Sequence, residues 1–114
     1  MKISFFTTAT EPFKYKYPII ESIKSIIPIA DEIIIIYGRE ECESEKQLLE
    51  LSPIIKIINT NKWNEEWKYD TMTEHLNIGL NNCTGDICIK FDIDFIFNSK
   101  DKEKFANQFK NRIN

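Results

Sequence analysis

A chain of 114 residues with a formal charge of -3 and a pI near 5.2 is one domain with room for a modest core, and it lacks the basic excess that a general nucleic-acid binder needs. Apolar residues make up 42% and charged residues 29%, the balance of a soluble globular protein rather than a disordered or membrane-embedded one. No segment reaches the roughly 18 apolar residues of a membrane span, and the apolar run within Met1 to Thr10 is too short for the core of a signal peptide.

Lys2 to Thr7 predicts a first strand, buried on both faces because Ile3, Phe5 and Phe6 leave little alternation. It ends in Thr7, Thr8, Ala9 and Thr10, whose hydroxyls suit a nucleobase or phosphate and equally suit capping of the next helix. That helix is expected from Tyr17 or Pro18 to Ile27, with Ile19, Ile20, Ile23, Ile26 and Ile27 as its stripe and Pro28 as its stop. Ile33 to Tyr37, a continuous β-branched run closed by Gly38, predicts a central parallel strand. A short helix over about Ser44 to Leu51 and a third strand over Ile54 to Ile58 follow, the latter placed in a less buried position by Lys56. The longest helix is expected from about Asn64 to Asn82, with Tyr69, Met72, Leu76, Gly79 or Leu80, and Cys83 as its buried stripe. Trp63 and Trp67 form an aromatic pair at its start, and His75, beside the stripe, reads as a surface or structural histidine. After Phe97, Ser99 is positioned to cap a last helix from about Lys100 to Arg112.

Between those last two helices lies the most informative stretch, Gly85 to Phe97. Ile87, Ile89, Phe91 and Ile93 alternate with Cys88, Lys90, Asp92 and Asp94, the period of a strand. If the strand persists to its end, Asp92 and Asp94 share a face. Two carboxylates at the solvent end of a buried strand attract a hard divalent cation, which takes one or two carboxylates and completes its shell with water and substrate phosphates. The alternation of strand and helix predicts an α/β fold with a mostly parallel sheet of about four strands and helices on both faces. Ligands in such sheets bind outside the carboxyl ends of the strands, where strand order reverses. The polar clusters at Thr7 to Glu11, Tyr37 to Glu41, Asn59 to Asn61 and Asp92 to Asp94 all fall at those ends. Glycine-rich phosphate loops are missing, so a nucleotide here is held by side chains and a metal.

Asn77 to Asp94, with Asn-x-Gly-Leu, the Thr-Gly-Asp turn, the apolar strand and the terminal Asp-x-Asp, resembles the donor-binding segment of family 2 glycosyltransferases and their GT-A relatives. The order of the preceding elements agrees, so the resemblance covers the chain to about Phe97 and implies a Rossmann-like GT-A nucleotide-binding half. It further implies a nucleotide-diphospho-sugar donor bridged to the Asp-x-Asp by manganese or magnesium, with Asp92 on ribose or metal and Asp94 on metal. Thr7 and Thr8 are implied to lie against the nucleoside, and Asp70 is a looser candidate. Where the family has an acidic residue after its second strand this chain has Tyr37 and Gly38, so Tyr37 stacking on the base, or Glu40 or Glu41 in the acid's place, are the alternatives. The family's acceptor site and catalytic base follow the Asp-x-Asp, whereas this sequence continues only to Asn114. Residues 1–114 are therefore expected to form a single donor-binding domain, truncated relative to a full transferase, with acceptor and base unassigned.

Two other function classes stay open on sequence. One is a non-catalytic α/β binding or assembly module in which Asp92 and Asp94 are solvated strand-end residues. The other is a phosphatase resembling the haloacid dehalogenase family, whose Asp-x-Asp usually opens the fold. The three cysteines, Cys42, Cys83 and Cys88, lack zinc-ligand spacing. Cys83 and Cys88 are expected to pack as small apolar residues in a reducing, cytoplasmic compartment. A short sheet leaves an apolar edge, so self-association into a homo-oligomer, or a helix covering the edge, is expected.

Overall fold

Four parallel strands in the order β3-β2-β1-β4 organise the chain. In the computed structural model the described residues are 2–9, 18–37, 42–59, 69–93, 96–98, 100–105 and 107, with the side chains of 42–44 and 69–72 outside the description. The strands are β1 (Ile3–Ala9), β2 (Glu32–Tyr37), β3 (Ile55–Asn59) and β4 (Ile87–Lys90). Between them run α1 (Ile19–Ile26), α2 (Cys42–Leu49) and α3 (Tyr69–Asn82), and a further helical segment, α4, covers residues 100–105. This is the expected α/β architecture, a parallel sheet with helices on both faces.

β2 occupies the interior because its four isoleucines, Ile33 to Ile36, have no residue that tolerates water, and all four are 0% exposed. β3, interrupted by Lys56, takes an edge. The pleat sorts the side chains into two cores. Phe5, Ile33, Ile35 and Ile55 face α1, whose Ile19, Ile23 and Ile26 close that layer with Leu48 of α2. Phe6, Ile34 and Ile36 face the other way, and Leu76, Ile78 and Cys83 of the α3 unit pack on them together with Cys88. Both Cys83 and Cys88 thus pack with the apolar core, as their composition predicts. Among the described residues no helix is long and apolar enough to cross a membrane.

Several boundaries and faces differ from the sequence expectations for identifiable reasons. Pro28 does not stop the chain from turning; it sits inside a 3-10 turn, Ile27–Ile29, that extends α1, since a proline needs no backbone donor in a first turn. On α3 the inner face is His75 and Gly79, both buried, with Leu76 and Ile78 flanking, while Leu80 is 51% exposed. The helix is rotated so that Gly79 meets the sheet, where a Cβ would come within 2.7 Å of the Phe6 ring. His75 is therefore a core histidine. At the start of α4, Asp101 N–H donates to Asn98 Oδ1 at 2.9 Å and Asn98 N–H donates to Asp101 Oδ2 at 3.2 Å, the reciprocal arrangement of a capping box. Ser99, Trp63, Trp67 and the expected start of the long helix at Asn64 lie outside the described residues.

Candidate functional site

The site is built at the carboxyl edge of the sheet. Parallel register places Ala9, Tyr37 and Asn59 in one row across β1, β2 and β3. β4 is shorter: its last paired residue, Lys90, lies opposite Phe6, and Phe91 N–H still donates to Phe6 O at 3.0 Å. Asp92 is thus two residues past Lys90, as Thr8 on β1 is two residues past Phe6. Chain order runs outward from β1 through β2 to β3, then returns to β4 on the far side of β1. Strand order therefore reverses between β1 and β4, the place outside whose carboxyl ends such sheets bind ligands. Thr7 and Thr8 on β1 and Asp92 after β4 lie at that end.

Asp92 is exposed, its side chain at 72%, and Lys90 Nζ lies 3.1 Å from its Oδ1. The strand ends before Asp92, and Ile93 is in a turn, so the alternation argument for a shared face does not carry through to Asp94, which lies outside the described residues. A divalent ion fits what is described in one respect: Asp92 offers an accessible carboxylate that already attracts a cation. A metal held there would have to displace the Lys90 ammonium or share the carboxylate with it. Among the described residues no group of three or more His, Cys, Asp or Glu is placed to hold a metal by itself, so substrate oxygens and water would supply the remaining ligands.

Thr7 is 2% exposed, and its hydroxyl makes only a long contact, 3.4 Å, to Thr8 O. Thr8 is half-buried. Tyr37 is 1% exposed within the α1-side core, so a base stacked on its ring face must displace the residues that cover it. Asp70 lies in the first turn of α3. Asn59 Nδ2 donates to Glu45 Oε1 at 2.7 Å, tying the end of β3 to α2. Glu40 and Glu41 lie outside the described residues.

The strongest electrostatic feature stands at the opposite, amino edge of the sheet, where no sequence motif marks it. Glu32 is 2% exposed and accepts hydrogen bonds from Ser4 Oγ at 2.8 Å, Lys56 Nζ at 2.6 Å and Thr84 N–H at 2.9 Å. Burial raises its pKa, but the bonds from Lys56, the Thr84 amide, Ser4 and the Thr84 hydroxyl outweigh burial and bring it from 4.5 to about 2. Burial, with the neighbouring Cys88 thiol and the Glu32 charge, pushes the Cys83 thiol up to about 12. The Cys83 thiol is thereby suited to packing rather than to nucleophilic chemistry.

No protein-family model matches the sequence, and no curated protein matches it. Solved structures do. The crystal structure of Staphylococcus aureus TarS 1-349 superimposes over 95% of this chain and 33% of that one, with a TM-score of 0.65 at 17% identity. A second TarS crystal structure matches over 95% of this chain and 20% of that one, with a TM-score of 0.63 at 17% identity. TarS is a glycosyltransferase. The chain has a glycosyltransferase-like fold. It spans a third or less of the TarS chains it matches.

Proposed function

We propose that the chain is the donor-binding domain of a family 2-like glycosyltransferase of the GT-A type, taking a nucleotide-diphospho-sugar outside the carboxyl ends of β1 and β4. The observation that supports this most is positional: Thr7, Thr8 and Asp92, which the family resemblance implies for donor binding, lie at the carboxyl ends of the two strands between which strand order reverses. Thr8 and the end of β1 lie along the nucleoside, and Asp92, with Asp94 as the second proposed ligand, holds manganese or magnesium against the diphosphate. When bound, the metal neutralises the charge that develops on the leaving diphosphate. Lys90, 3.1 Å from Asp92, adds a second positive group that can approach the phosphates. Tyr37, being buried, contributes to the shape of the nucleoside wall rather than a stacking face, and Asp70 at the start of α3 is the remaining candidate on the donor side.

Calorimetric titration of nucleoside diphosphates and their sugars, with and without manganese, tests the reading. Binding is expected to require metal and to weaken at least ~10-fold in Asp92→Ala, the usual scale for losing a charged ligand of this kind. Binding indifferent to both metal and Asp92, or hydrolysis of a generic phosphate ester, contradicts it.

A further inference from the structure

The loop that follows β4 is held from beneath by two serines of α1. Ser25, 7% exposed, uses its hydroxyl in both directions. It donates to Ser22 O at 2.6 Å and accepts from Phe97 N–H at 3.0 Å, a contact spanning 72 residues of sequence. Ser22, 0% exposed, points its hydroxyl at Asp92 O in a longer contact of 3.4 Å. Asp92 and Phe97 bound the loop, so α1 touches it at both ends. Aromatic packing fixes the same two points: Phe91 and Phe97 meet Phe5 edge-on, with ring centroids 6.1 and 6.2 Å away. Serines are unusual choices for the buried face of a helix whose other inward residues are Ile19, Ile23 and Ile26, since each polar group buried there must find a partner. Ser25 finds one partner within α1, at Ser22 O, and another in this loop, at Phe97 N–H.

We propose that Ser25, assisted by Ser22, is a positioning residue that fixes the backbone of the loop carrying Asp92 and so fixes where the donor site's carboxylate stands. The proposal rests on the donor-binding reading above. A carboxylate that must meet a metal and a diphosphate together loses effectiveness when its backbone wanders by a fraction of an ångström. The hydroxyl of Ser25 restrains that wandering without touching the ligand.

The test compares the native chain with Ser25→Ala and Ser25→Thr, reading amide exchange at Phe97 and affinity for a nucleoside diphosphate in the presence of manganese. Alanine is a good helix former, so α1 is expected to remain intact in the first variant. The Phe97 amide should then exchange ~10-fold faster, the scale of one lost hydrogen bond. Nucleotide affinity should fall several-fold, about threefold or more, on the same scale, and threonine, which keeps the hydroxyl, should restore both. Recovery in Ser25→Thr distinguishes positioning from a general loss of fold. Nucleotide binding by the native chain that is unchanged in Ser25→Ala overturns the positioning role alone. A native chain that binds no nucleoside diphosphate under any condition overturns the donor reading and the positioning role with it.

Discussion

Glu32 makes the clearest residue-scale prediction, because it is a charge buried with its partners. Its folded pKa of about 2 lies below the ordinary value of 4.5, so the ionised form is favoured by folding. The stabilisation is fully present above about pH 4.5 and is lost as pH falls through 2. A shift of that size corresponds to about 3 kcal/mol, of which about 2 is gone by pH 3. Urea unfolding at pH 6 and pH 3 should show that loss in the native chain and a smaller one in Glu32→Gln, which has no charge to protonate. Equal losses in both would place the acid sensitivity elsewhere. Little of this was legible beforehand: Glu32 precedes an apolar strand as many solvated acids do, and its partners Ser4, Lys56 and Thr84 come from three distant segments. The place of Asp92 just past the end of β4 was legible because the alternation of Ile87, Ile89 and Phe91 is local, although that strand lies at an edge of the sheet and is only half-buried. Tyr37 shows the limit of that reasoning, since a strand-end aromatic reads as a ligand stack until its burial is known.

At the scale of elements, the strands were readable from their runs of isoleucine, and the central place of β2 followed from its lack of any polar interruption. The face of α1, with Ile19, Ile23 and Ile26 inward, was equally readable; that of α3 was less so. α3 turns a glycine and a histidine inward, residues that carry no hydrophobic signal, and leaves Leu80 in solvent. The cause is close approach, and it extends to the turn before β4. A Cβ on Gly85 would stand 2.6 Å from Ser4 Oγ, 2.8 Å from Lys2 O and 2.9 Å from Ser4 N. Backbone atoms of β1 cannot swing aside as a side-chain end can. Gly85 N–H also donates to Ser4 Oγ at 2.9 Å, and Asp86 N–H to Lys2 O at 2.8 Å. Gly85→Ala should therefore cost about 2–3 kcal/mol, in the range of overpacked sites, lowering the urea midpoint. Little or no change would mean that the turn can move away from β1. The Thr-Gly-Asp turn is thus explained by packing alone, whatever the site above it binds.

For the whole molecule, the donor-binding proposal gives the two ends of the sheet different tasks. The amino edge is a closed polar network around Glu32, with each partner engaged. The carboxyl edge brings Asp92 level with Thr8 near the end of β1, beside the reversal of strand order, on a fold shared with the TarS structures. The parallel topology was legible from the alternation of elements; the site was legible only as a set of strand ends, because which ends are neighbours depends on strand order. The most direct test is paramagnetic broadening of backbone amide signals by manganese in the presence of a nucleoside diphosphate. Broadening centred on Phe91, Asp92 and Ile93 and extending to Thr7 and Thr8 is the predicted result. Broadening centred on Glu32 and Thr84, or none above that of free manganese, would contradict the account.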